Sequence, residues 1–210
     1  VVRKLYQMRF KEELDDSLSL QQIRGMEGAR VRDAYYQWSQ ATGVPWNGRS
    51  YRRDDWKHAD PINRALSAAN SCLYGVCHAA IVAAGYSPAL GFIHTGKQLS
   101  FVYDIADLYK ADVSVPAAFQ TVATAPQSLE SEVRKRCRDH FAGEKLLQRI
   151  VSDIDRALNV PAASEDDPDL DFDLDPALPG CLWDPETGEI RGGISYGELE
   201  AETEGGKTEA

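Results

Sequence analysis

The sequence predicts an all-α fold, and three observations carry the prediction. Two long stretches bear helix start and stop signals at both ends: Ser19 before Leu20 with Gly43 behind, and Asp60-Pro61 with Gly85 behind. Apolar residues recur inside these stretches at helical spacing. The few β-branched alternations, as at 115–118, are too short to build a sheet, and no internal repeat is visible.

The elements follow in order. Residues 1–18 are polar and charged, with an acidic cluster at Glu12, Glu13, Asp15 and Asp16. A helix is predicted from Leu20 to Thr42, with Ile23, Val31, Ala34, Tyr35 and Trp38 near helical spacing. Gly25 and Gly28 weaken it, but glycines also permit close approach of a neighbour or a ligand backbone. Glu27 sits between them. In the loop 43–59, Arg49, Arg52, Arg53 and Lys57 interleave with Trp46, Tyr51 and Trp56. That pattern fits a surface loop pinned by its own aromatics, or an arm for nucleic acid.

The helix opened by Asp60-Pro61 is Ala-rich and predicted to be central, with His78 expected as a core histidine. A loop follows over 86–96, then a short helix over 100–110. Pro116 is expected to start another helix, and two more are predicted near 129–141 and 144–158. A helical domain over 19–160 is the result. Residues 161–210 form an acidic tail ending in a turn-rich motif that Trp183 and Tyr196 could anchor.

Charge sharpens this division. The 210 residues carry a net charge of −10, yet residues 161–210 hold 15 acidic and 2 basic side chains. The body is therefore mildly basic, which leaves a nucleic-acid partner open despite the acidic total. Cys72, Cys77, Cys137 and Cys181 form no CxxC pair or zinc spacing. They read as thiols of a reduced, cytoplasmic protein. No run approaches 18 uninterrupted apolar residues, so no membrane span is expected. The start, VVRKLYQMRF, has neither an initiator Met nor a signal-peptide core, and reads as a piece of a longer product.

The most informative segment is GFIHTGKQLSFVYDIAD, residues 91–107. It sets His94 in a Gly-flanked loop and places Asp104 and Asp107 three apart, on one face of a helix. One imidazole and two acids beside apolar residues suit a Mg²⁺- or Mn²⁺-type ion and chemistry on phosphate esters.

Four runs, LQQIRGMEGARVRDAY, WNGRSYRRDDW, DPINRALSAANSCLYGV and AGYSPALGFIHTGKQLSFVYDIADLYKAD, resemble the spacer-acquisition integrase of subtype I-E CRISPR systems. The resemblance is colinear over roughly residues 1–158. It implies the helical catalytic domain of that family, with residues 1–18 as the end of a linker from an N-terminal β-domain that is absent. It places the metal ligands at Glu27, His94 and Asp107, with Asp104 as a second, supporting acid of the catalytic set. It implies DNA contacts at Tyr51 and Tyr74, while Lys97 and Lys110, which flank the metal motif, and Arg24, near Glu27, are placed to hold phosphate. The implied reaction is metal-dependent joining of protospacer 3′-hydroxyl ends to the CRISPR array by transesterification, with Mg²⁺ or Mn²⁺ as cofactor. The implied partners are double-stranded DNA, a small companion subunit and a second copy of the full-length protein. A histidine ligand must be neutral, so activity is expected to fall in acid. Two other readings stay open at this point: a non-catalytic helical module that binds DNA or a partner, and a metal-dependent nuclease outside CRISPR.

Overall fold

The structure, a computed structural model, describes residues 1–50 and 59–159, together with the backbone of 182–184 and 188–190. The chain divides into two compact units, Val1–Pro161 and Ala162–Ala210. The first is helical: α1 (Val2–Gln7), α2 (Leu20–Thr42), α3 (Pro61–Ala83), α4 (Ser100–Ala106), a π-helical segment (Lys110–Ser114), α5 (Val115–Ala123), α6 (Leu129–Gly143) and α7 (Leu146–Leu158). In the second, β1 (Leu182–Asp184) and β2 (Gly188–Ile190) pair antiparallel, with Trp183 opposite Glu189. This short ladder lies in the segment read as a turn-rich motif. Tyr51, Tyr196 and the acidic run of the tail lie outside the described residues.

The helix ends follow from local chemistry. Ser19 Oγ accepts from Gln22 N while Gln22 Oε1 accepts from Ser19 N at 2.8 Å, a reciprocal capping box. Gly43 closes α2 in the left-handed region at φ +68°, which a side chain would disfavour. Asp60 caps α3 by accepting from Asn63 N at 2.7 Å, and Pro61 occupies the first turn.

Helix α3 is the axis of the fold and packs against α4, α5, α6 and α7. One side joins Leu73, Cys77 and Ile81 to Phe101, Ile105, Leu146, Ile150 and Ile154. The other joins Leu66 and Ala69 to Ala118, Phe119, Val133 and Cys137. The mean hydropathy of α3 reaches 1.4, enough for a membrane span by length and composition, and 44 % of that stretch is buried within the body. Burying each such Leu or Ile contributes about 1.5–3 kcal/mol.

Two expectations change. His78 is exposed, because Leu73, Cys77, Ala80 and Ile81 take the inward positions of α3 and leave residue 78 on the outer face. The polar segment 1–18 supplies core residues: Leu5 is fully buried against α3's cluster, and Tyr6 and Leu14 pack with Ile23. Its charged side chains concealed an amphipathic turn.

Candidate active site

The site is built from four separate stretches of chain. The loop before α4 wraps around one carboxylate. Asp104 is fully buried and accepts hydrogen bonds from the backbone N–H of Phe92 (2.9 Å), Ile93 (3.1 Å) and His94 (2.8 Å). Its Oδ1 also lies 2.7 Å from His94 Nδ1. An ionised carboxylate only accepts, so Nδ1 carries the proton in this bond, and the Nε2 lone pair of a neutral ring is left for the site. Gly91 makes the wrap possible. A Cβ there would collide with the carbonyl oxygen of His94 and press on Ser100.

Asp107 caps the C-terminal end of α4, and its Oδ2 lies 3.9 Å from His94 Nε2. Glu27 is 9 % exposed on α2 and brings the third donor group. The link between Glu27 and Asp107 is Arg9. Its Nη1 lies 3.5 Å from Glu27 Oε1 and 3.6 Å from Asp107 Oδ2, and its Nη2 donates to the Asp104 carbonyl oxygen at 3.4 Å.

Two further cations hold the same carboxylates. Arg30 makes a fork to Glu27 at 2.9 and 3.1 Å, and this hydrogen bonding raises the Arg30 pKa. Lys110 donates to Asp107 Oδ1 at 2.6 Å and lies 5.0 Å from the centre of the Tyr74 ring. Burial alone would lower the Lys110 pKa, but the charge of Asp107 reverses the sign and raises it. Tyr74 packs edge-on against Tyr103, which packs edge-on against His94. Beside this cluster opens a cleft of about 380 Å³, lined among others by Arg9, Glu27, Tyr35, Tyr74, Asp107 and Lys110. Among the described residues no group of three or more acidic, His or Cys side chains is drawn close enough to hold a metal ion as placed.

The structure therefore brings Glu27, His94, Asp104, Asp107, Tyr74 and Lys110 together. Arg24 and Lys97 are exposed outside this cluster, and Tyr51 lies outside the described residues. A Cβ at Gly25 or Gly28 would meet no protein atom, so packing within the chain does not demand either glycine. In the preceding loop, Trp46 stacks on Tyr35 at 4.4 Å and meets Phe119 edge-on, so this part of the loop is pinned by aromatics. Sequence reasoning missed Arg9. The only signal for it was the spacing of Leu5, Tyr6 and Arg9 along one face of a helical turn.

The family model for CRISPR associated protein Cas1 matches residues 2–145. The chain belongs to the Cas1 family. It is 57 % identical over 200 residues to CRISPR-associated endonuclease Cas1 2 of Thermus thermophilus, covering 94 % of this chain and 60 % of that protein. Against CRISPR-associated endonuclease Cas1 of Escherichia coli K12 the identity is 50 % over 171 residues, 79 % of this chain and 56 % of that one. Among solved structures, a TtCas1–DNA complex superposes with a TM-score of 0.69 at 59 % identity, over 75 % of this chain and 57 % of its own. The chain thus spans at most about 60 % of the length of these Cas1 relatives.

Proposed function

We propose that this chain is the catalytic part of a metal-dependent DNA integrase and endonuclease. It would join protospacer 3′-hydroxyl ends to the CRISPR array by transesterification. The observation that carries the reading is the position of Asp107: its Oδ2 shares Arg9 Nη1 with Glu27 and lies 3.9 Å from Nε2 of His94, whose ring is turned by buried Asp104. Membership of a family whose relatives are named endonucleases, one of them solved with DNA, supports the same reading.

The donor types fit Mg²⁺ or Mn²⁺, and binding would draw Glu27, His94 and Asp107 closer together than they stand here. Two carboxylates and an imidazole nitrogen suit either ion. Glu27, His94 and Asp107 would hold the ion. Bound there, it would supply Lewis-acid stabilisation of charge developing on the phosphoryl oxygens. Asp104 acts through His94, fixing ring orientation and tautomer. Lys110 and Arg30 are part-exposed and can turn from the carboxylates to DNA phosphates. Tyr74 flanks the cleft and can position the strand. The reaction forms a bond from the attacking 3′-oxygen to phosphorus and breaks the bond to the leaving 3′-oxygen. No serine or cysteine nucleophile is needed. DNA contacts at Arg24, Tyr51 and Lys97, the companion subunit, the homodimer of the full-length protein and a cytoplasmic location belong to the same proposal.

The test is an integration assay on the full-length protein with its companion at varied Mg²⁺ and Mn²⁺. Asp107→Ala or His94→Ala should abolish joined, branched products and leave DNA binding close to wild type. Equal loss of binding and joining would defeat the proposed role of these residues. Cut ends without joined strands, in every condition, would favour a nuclease outside CRISPR.

A further inference from the structure

We propose that Arg9 is a positioning residue. Its buried guanidinium is the fixed counter-ion that keeps the Glu27 and Asp107 carboxylates together and sets how strongly the pair draws a divalent cation. The second half rests on the function proposed above, whereas the first concerns the cation-free protein alone.

Three cations meet the acids of the site, and burial separates them. The side chains of Arg30 and Lys110 are 27 % and 28 % exposed, so both can swing into solvent. The Arg9 side chain is 3 % exposed and cannot leave without opening the core. It lies 5.1 Å from the centre of the Tyr6 ring and is tied to the Asp104 carbonyl oxygen. Its Nη1 stands between Glu27 and Asp107 at 3.5 and 3.6 Å. These separations exceed the 2.7–2.9 Å typical of a tight charge-assisted bond, so the bridge is mainly Coulombic and leaves carboxylate lone pairs available. The arrangement is not one that packing alone would select. Arg9 Nε is buried with no hydrogen-bond partner, a cost that an apolar side chain of similar size would avoid. What offsets it is the field of two carboxylates that no other fully enclosed cation serves.

The consequence is an exchange of charge. Without Arg9, Glu27 and Asp107 confront each other with only mobile partners. A divalent cation then supplies the missing charge and meets no buried positive neighbour.

Two measurements test this. In the first, thermal unfolding in EDTA is compared for wild type, Arg9→Met, Glu27→Gln and the double variant. Arg9→Met should lower Tm by about 4–8 °C, and by less than half as much in the Glu27→Gln background. In the second, calorimetric titration with Mn²⁺ should show Arg9→Met binding at least about tenfold more tightly than wild type. Arg9→Lys keeps the charge without the planar fork and should fall between the two in both assays. Should Arg9→Met not fold, the Arg9→Lys cycle with Glu27→Gln provides the same reading. Additive losses in EDTA would overturn the counter-ion role, and unchanged or weaker Mn²⁺ binding by Arg9→Met would overturn its control of the cation. If neither protein binds Mn²⁺ but the EDTA losses are non-additive, the metal reading of the site falls and the counter-ion role is upheld.

Discussion

Asp104→Asn is the perturbation that best separates scaffold from ligand. The side chains are nearly isosteric, so the change is electronic. Asp104 accepts four hydrogen bonds: the Phe92, Ile93 and His94 backbone N–H groups and His94 Nδ1–H. An amide keeps one oxygen and turns the other position into a donor. If the retained oxygen stays with His94, the Phe92 and Ile93 N–H groups face an NH₂ group. Each buried donor left without an acceptor costs about 1–3 kcal/mol, and the bonds that survive lose their ionic strengthening. The expected loss is about 3 kcal/mol, a large share of the roughly 5–15 kcal/mol that holds a domain together. His94→Ala is the contrast. Its side chain is 39 % exposed, and its removal deletes one of the four bonds while the backbone donors continue to satisfy Asp104, so it should cost below about 1 kcal/mol. Urea unfolding of both variants in EDTA, followed by circular dichroism, measures the difference. The reasoning is refuted if Asp104→Asn is within about 0.5 kcal/mol of wild type, or if His94→Ala destabilises more.

Two further predictions use the same geometry and one distant pair. Gly91→Ala forces the loop away from the His94 carbonyl and the Ser100 side chain, and should cost about 1–3 kcal/mol while lowering integration activity more than DNA affinity. Parallel melting, binding and joining assays would show it; a variant indistinguishable from wild type in all three contradicts the close approach. Cys72 is half-buried, and the hydrogen bond from the Cys137 thiol, aided by Arg134, lowers its pKa to about 7 against the opposing effect of burial. The thiolate population therefore rises as pH passes upward through about 7. Iodoacetamide labelling followed by peptide mass spectrometry should show Cys72 reacting with that pH profile. Cys137→Ala should move the profile upward; an identical profile would show that the thiol contact does not set it.

Helix ends were legible because their signals are local. The Ser19 capping box, Gly43 and the Asp60-Pro61 start each act within a turn or two of chain, and α2 and α3 begin where these residues place them. The pairing of Asp104 with Asp107 on the short helix was legible for the same reason. The division of labour between them was not. Only the loop closing over Asp104 decides that one acid is consumed by backbone donors while the other faces the cleft. His78 was misplaced because an outward position on an apolar helix cannot be told from an inward one until the neighbouring helices are in place.

The sequence by itself determined the helical body, the boundaries of its principal helices and, through colinear motifs, the membership of a family. These depend on hydrogen bonding and side-chain periodicity between residues close in the chain. Tertiary structure alone decided that Arg9 enters a site whose other members lie 18, 85 and 98 positions further on, at Glu27, His94 and Asp107. A buried charge has no local signature. Its place is fixed by the field of groups that meet only when α1, α2 and α4 are packed together.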